Sequence, residues 1–534
     1  MKSSLTTAPE KRILQTQGEP EVSSQQQPKS LSGPITVGSA VHPLSSLHSG
    51  ESWEVAALTP ESKWNFYPRF LRLGAINSFS NLMVPLASLV DMAFLGHLED
   101  LNYLAGVAIA TVLFDYLYRM SRFLRMGTTG PTAQAAGRDD TTDIVLILLR
   151  NGVIALVMAG LFLSLQIPIR EFGFALLNAA PDVKSAGVDY FNTRIWGAPA
   201  VLLNFVLLGW WVGREHGDKV LALSLVGCGS NILLDYWLVF HLGWASAGVG
   251  LATTISQYLM VGLGLMFVGL EGWFSKVPAV VHQIWHPQEL RRTFQLNADI
   301  WIRSCVNVST SALFIGLSAS LGTLTLAVNT LLLHAVGLIS HLIVGLSFAT
   351  ESLAGHFQGA GDRPKLMPLL QLSLGISLGI GGFAALLLNL FPSSLFGLLT
   401  NHGSVINQLG DYLLWLFPVL LFGALAFMLN GYFLGLTKSA IVRNSILISA
   451  LVGFGPIAGL AWWLKSEHLL WLAMAVFMLL RAMTQLNHVT GTVDSNDPTM
   501  TISSDNWHAQ QSGTLAISIN PHDHVSVCAN KKVA

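Results

Sequence analysis

Charge is scarce in this chain. Only 11% of its 534 residues are Asp, Glu, Lys or Arg, against about 25% for a soluble globular domain, and that excludes an ordinary water-soluble fold. Cysteine is almost absent. Of three, Cys228 and Cys305 lie inside apolar runs and Cys528 in a polar tail, so neither a disulfide framework nor a cysteine zinc site can form. No His-Glu-x-x-His and no Gly-x-x-x-x-Gly-Lys-Ser/Thr occurs, which argues against a zinc hydrolase and against ATP-driven work. A net charge of −1 gives no reason to expect nucleic acid as a partner. Ten-residue alternation, the mark of a barrel strand, is missing. Residues 1–62 contain no apolar core, so no cleavable signal peptide is expected.

What remains is hydrophobic. The apolar share is 52%, mean hydropathy is +0.54, and 49 glycines suit close helix approach in lipid. Twelve apolar stretches are long enough to cross a bilayer as helices: 70–97, 103–133, 141–168, 190–213, 219–241, 246–270, 293–319, 324–354, 366–391, 405–434, 438–464 and 468–488. The expected fold class is therefore an all-α membrane protein with twelve transmembrane helices. Residues 1–62 and 489–534 read as disordered tails. Roughly fourteen loop Lys and Arg, with Arg138, Arg214, Arg363 and Arg481 among them, collect on one side, against Arg170, Lys184 and Lys465 on the other. That bias places both termini in the cytoplasm, with the plasma membrane (a bacterial inner membrane) as the expected site.

The chain repeats itself. Thr132-Ala-Gln-Ala-Ala-Gly137 matches His356-Phe-Gln-Gly-Ala-Gly361, with Gln134 on Gln358 and Gly137 on Gly361. Leu104-Ala-Gly-Val matches Leu326-Ala-Val-Asn, and the stretch from Gly209 to Lys219 echoes that from Gly431 to Lys438. Two six-helix lobes follow, 63–271 and 293–488, related by a pseudo-two-fold axis along the membrane normal. The stretch 272–292 links them along the cytoplasmic surface.

Acids inside the spans are the candidate chemistry, because a mid-membrane charge costs about 2.5–3.5 kcal/mol. Asp91 and Asp235 each lie about seven residues before the outer end of their spans, and Thr253 about eight residues after the outer start of its own. All three thus share a depth, and Asn231 lies one turn deeper than Asp235 on the same face. Two carboxylates, a carboxamide and a hydroxyl form an oxygen-rich pocket suited to Na⁺, or a carboxyl pair that holds a proton. The alternative for each residue is a hydrogen bond to a neighbouring helix. The repeat carries Asp91 onto Leu313 and Asp235 onto Phe454, so the acids serve the first lobe alone. Pro85, six residues before Asp91, removes a backbone hydrogen bond and should loosen its helix.

Other charges fit structural roles. Asp299 and Arg303, spaced i, i+4, are expected to pair, as are Asp115 and Arg119. Glu351, near the cytoplasmic end of its span, caps or snorkels, and Arg119, Arg122 and Arg125 snorkel to the headgroups. Pro85, Asp299, Arg303 and Glu351 also remain candidates for the substrate cavity or for gating. His334 and His341 lack a third ligand, and no metal is expected beyond Na⁺ at the acidic pocket.

The motifs Pro85-Leu-Ala-Ser-Leu-Val-Asp91-Met-Ala-Phe-Leu-Gly-His97, Phe123-Leu-Arg-Met-Gly-Thr-Thr-Gly130, Asn231-Ile-Leu-Leu-Asp235, Asn297-Ala-Asp-Ile-Trp-Ile-Arg303 and Gly345-Leu-Ser-Phe-Ala-Thr-Glu-Ser352 resemble those of the multidrug and toxic compound extrusion (MATE) family. The similarity is greatest to its DinF-like branch and covers about residues 65–488. The resemblance implies two lobes around a central cavity. It also implies export of organic, amphipathic or cationic compounds in exchange for H⁺ or Na⁺, without other cofactors. It makes Asp91 the central cation-binding residue, completed by Asn231, Asp235 and Thr253, with Asn204 added. Val344 stands where that branch carries an Asp, which turns the expectation towards neutral or amphipathic substrates. A small molecule and the bilayer are the expected partners, with no obligatory protein partner and a monomeric state. The rival readings are a flippase for lipid-linked precursors, which would need a basic central cavity, and an intramembrane enzyme.

Overall fold

The computed structural model describes residues 65–96, 100–176, 181–397 and 403–493, and among them all regular structure is helical. The two tails expected to be disordered lie almost wholly outside the described residues. Twelve helices are long and apolar enough to cross a membrane: α1 Tyr67–Gly96, α2 Asn102–Gly137, α3 Thr141–Ser164, α4 Pro181–Gly213, α5 Gly217–His241, α6 Ala245–Leu270, α7 Pro287–Leu321, α8 Thr323–Gly359, α9 Arg363–Leu390, α10 Leu413–Gly435, α11 Ser439–Leu464 and α12 Glu467–Thr492. The chain is a multi-pass membrane protein.

The boundaries differ where polar residues extend a helix beyond its apolar stretch. α4 begins at Pro181, nine residues before the expected start. Its first turns carry Asp182, Lys184 and Asp189, which hide them from hydropathy, while Tyr190 and Phe191 bury one face. α7 begins at Pro287, a favoured first helical residue, with Glu289 in the first turn. The expected stretch 405–434 divides into a short helix Gly403–Leu409 and α10. The linker 272–292 is pinned beneath the first half. Gly272 turns the chain at φ +75°, Trp273, Val280 and Ile284 are buried, and Arg150 of α3 donates to the carbonyls of Gln283 (3.0 Å) and Ile284 (3.3 Å).

The internal repeat holds at one constant offset of 222 residues. A Cβ on Gly137 would meet the carbonyl oxygen of His356 at 2.2 Å, and one on Gly359 would meet that of Gln134 at 2.1 Å. Gly209 stands against Arg125 O as Gly431 stands against Ser347 O, and Gly213 against Thr129 O as Gly435 against Glu351 O. The positive-φ residues Asp139 and Gly361, and Glu215 and Thr437, obey the same offset. Gln134 therefore corresponds to His356 and Gly137 to Gly359. Matching by letter identity displaced that alignment by two residues, because the conserved feature is the small residue at the backbone contact. Asp91 corresponds to Leu313 as expected, but Asp235 corresponds to Ile457 and not to Phe454.

The halves meet at one end. A single apolar cluster there combines Phe70 and Leu73 of α1 and Leu124 of α2 with Leu353 and Phe357 of α8 and Tyr432 of α10. The carbonyls of His341 and Leu342 accept from Asn81 and Ser78 (2.8 Å each), Ser352 donates to Val212 O at 2.6 Å, and Gln134 donates to Gly435 O at 2.9 Å. At the other end each half has its own cluster, one around Leu95, Phe114 and Val249 and one around Phe314, Phe454 and Trp471. Midway along α2, Asp115 and Arg119 pair at 3.5 Å with both side chains more than half exposed. Lipid would not tolerate that pair, so this side of α2 lines a watery cleft between the halves.

Candidate functional site

α1 runs unbroken through Pro85 and lies along α5 and α8. Its Asp91 is 8% exposed, and Asp235 of α5 is fully buried. Their carboxyl groups lie close enough to interact with each other. Asp91 Oδ1 and both oxygens of Asp235 find no protein donor among the described residues. Asp235 ends the regular α-helical part of α5. The next residues, Tyr236–His241, widen into a π-helical turn, closed where Leu242 N–H reaches Trp237 O at 3.2 Å. Such turns recur at functional sites because they re-aim side chains. α11 has its own π turn, Ser449–Phe454, but it starts at the position equivalent to Gly227, away from the acid.

One turn from Asp235, Asn231 is buried and reaches Thr253 Oγ1 of α6 at 3.5 Å, and Thr253 donates to Val249 O at 3.0 Å. Asp91, Asn231, Asp235 and Thr253 thus come from three helices into one region, as their matched depth required. Asn204 of α4 bonds α6 one turn beyond Thr253. Its Nδ2 donates to the backbone and side-chain oxygens of Gln257, 2.9 Å each, and its Oδ1 finds no donor.

Arg194 of α4 went unnoticed in the sequence. Its charge acts on both Asp91 and Asp235, its guanidinium lies 5.0 Å from the Phe114 ring and 5.2 Å from the Tyr190 ring, and its Nε has no partner. It carries no motif. The signal was its place four residues inside the expected fourth span, where a cation needs a counter-charge.

A second polar group departs from expectation. Asp299 does not pair with Arg303. It accepts from Arg443 and from Ser439 Oγ (2.8 Å) at the start of α11, where the helix N-terminus favours a carboxylate. Arg303, 9% exposed, points the other way and reaches Met126 Sδ of α2 at 3.1 Å. Glu351 neither caps nor snorkels, being 1% exposed with Oε1 unbonded. Arg125 does not snorkel either, since its guanidinium lies 3.8 Å above the Phe348 ring of α8. Arg481 is no loop residue. It is fully buried, 5.4 Å from the Phe427 ring, with none of its side-chain nitrogens bonded.

The MatE family model matches residues 78–237 and again 300–457, two segments whose starts are separated by the same 222 residues. DNA damage-inducible protein F of Escherichia coli (strain K12) is 33% identical over 418 residues, covering 76% of this chain and 88% of that protein. Among solved structures, the eukaryotic MATE transporter AtDTX14 superposes with a TM-score of 0.71 at 16% identity, over 84% of this chain and 98% of that one. A MOP superfamily transporter from Pyrococcus furiosus superposes at 0.69 with 18% identity, over 79% and 95%.

Proposed function

The chain belongs to the MatE family, the multidrug and toxic compound extrusion family its motifs resemble, and from that premise we propose that it is a cation-coupled antiporter exporting small organic, amphipathic compounds by alternating access. The observation that carries the coupling is the Asp91–Asp235 pair. Two carboxyl groups this close cannot both be ionised unless a cation lies between them, so the pair holds a proton or a metal cation. Asn231 and Thr253 add oxygen donors, a set that also suits Na⁺. Coupling follows when the ion binds one conformer more tightly than the other. Ion entry at Asp91 tightens α1 against α5 and alters the cleft, which displaces the substrate.

The loop cations Arg69, Arg138, Arg214 and Lys365 gather at the end where the halves are joined. By the positive-inside rule that end is cytoplasmic, with both termini on the same side of the plasma membrane. The cleft then opens outward, and the coupling ion enters from the side where its gradient supplies it. The protein acts as a monomer with no chemical turnover of its cargo. The flippase reading gains one observation, since Arg303 is accompanied by Arg125 and Arg481.

The test is efflux of a fluorescent amphipath from proteoliposomes under an imposed pH or Na⁺ gradient, with wild type beside Asp91→Asn. Efflux driven by one gradient and lost in a variant of unchanged melting temperature supports the reading and identifies the ion. Full efflux by Asp91→Asn removes Asp91 from the coupling step.

A further inference from the structure

Three guanidinium groups and one carboxyl group lie close together in the protein interior. Arg125 comes from α2, Arg303 from α7, Arg481 from α12 and Glu351 from α8. Glu351 is within electrostatic range of Arg125 and Arg303, and Arg303 within range of Arg481. Arginine stays charged inside proteins, so one carboxylate neutralises at most one of the three.

Hydrogen bonding is equally unbalanced. Nε and Nη2 of Arg125, Nε of Arg303, all three nitrogens of Arg481 and Nδ2 of Asn430 have no acceptor among the described residues, whereas Glu351 Oε1 and Gln485 Oε1 are the neighbouring acceptors left free. Buried donors and charges without partners are costly, and here they border a space. A narrow cavity of about 20 Å³, room for about one water molecule or one small polar group, lies between Arg303, Glu351, Asn430, Met126, Phe348 and Phe427. Its walls belong to the second half except for Met126 of the first, and it lies close to the glycine contacts that join the halves.

We propose that this cavity binds the anionic group of the transported compound, a carboxylate, sulfonate or phosphate, with its apolar body against Phe348, Phe427 and Met126. The proposal rests on the transporter reading and narrows it to amphipathic anions. Arg303 and Asn430 supply the direct donors, Arg125 and Arg481 supply charge from behind, and Glu351 holds the guanidiniums apart when the site is empty. Arginine suits the task because its planar donor fork matches oxyanions. A soluble organic acid and a phosphate-bearing lipid share this chemistry.

The test is equilibrium binding to the purified full-length protein in a non-ionic detergent, read by fluorescence polarisation. The probes are fluorescein and rhodamine 123, which share a xanthene ring and differ in sign of charge. Fluorescein is expected to bind more tightly than rhodamine 123. Arg303→Gln should weaken fluorescein by about tenfold, with Arg303→Lys recovering part of the loss and both variants melting near wild type. Displacement of fluorescein by phosphatidylglycerol in the micelles would assign the site to a lipid headgroup, and resistance to it would assign a soluble anion. Binding of rhodamine 123 alone, binding of neither dye, or an Arg303→Gln protein with unchanged fluorescein affinity overturns the proposal. Because the readout needs no gradient, it separates failure of this site from failure of ion coupling.

Discussion

Asp299 bonds Arg443, 144 residues further along the chain, and ignores Arg303 one turn away on its own helix. The pair ties α7 to the first turn of α11, and both side chains are largely shielded, with 14% and 32% of their surface exposed. A double-mutant cycle on Asp299→Asn and Arg443→Gln should give a coupling of about 1–2 kcal/mol in thermal or chemical unfolding. The same cycle on Asp299 and Arg303 should stay within about 0.5 kcal/mol.

Arg194 competes with any cation for the Asp91–Asp235 pair. Arg194→Gln should lower the cation concentration needed for half-maximal transport by roughly three- to tenfold, equivalent to about 1 kcal/mol of removed repulsion. Arg194→Lys keeps the charge and should shift it little. A titration of transport against the driving ion checks both.

Gly137 and Gly359 admit no side chain, because the atoms a Cβ would strike are backbone oxygens at 2.2 and 2.1 Å. Gly137→Ala should cost about 1–3 kcal/mol of stability and impair closure of the sealed end. Gly375, which has nothing within 4 Å, is the control. Gly375→Ala should be neutral or slightly stabilising, by up to about 1 kcal/mol. Melting temperatures of the two variants decide.

His216 lies in the short connection between α4 and α5, edge-on to the Trp211 ring at 5.7 Å. Burial first, then the charges of Arg214 and Lys219, hold its imidazole below the usual value. The folded state thus binds its proton more weakly than the unfolded state. The stability His216 contributes is complete above the unfolded value of about 6.5 and is lost as pH falls through the lower folded value. Melting temperature should therefore decline on acidification through that window, and His216→Gln should flatten the decline.

The twelve spans and the twofold repeat were legible because bilayer thickness and helical rise fix a run length that composition reveals directly. Asp91, Asn231, Asp235 and Thr253 were legible for a related reason, since polar residues stand out in apolar runs and rise per residue converts position into depth. Depth does not give azimuth. Arg303 was assigned to Asp299 because spacing along one helix is visible in a sequence, while the faces of α2, α8 and α11 opposite it are not. Arg481 and Arg125 were assigned to the membrane surface because a count of basic residues near span ends cannot tell a side chain that reaches water from one turned into the protein. Nor could spacing show that the Nδ2 of Asn204 is held by Gln257 while its Oδ1 stays free.

The contacts of Gly137 with His356 O and of Gly359 with Gln134 O, repeated in kind along the seam, join peptide groups, and the side chains packed beside them are mostly apolar. Such backbone contacts cannot inspect what passes them, for they have neither charge nor shape particular to a cargo. Discrimination must then be made above them, in the cleft, before the halves part. A replacement in the cleft can therefore change what the protein carries while leaving the closing motion intact, and the cargo can diversify on an unaltered machine.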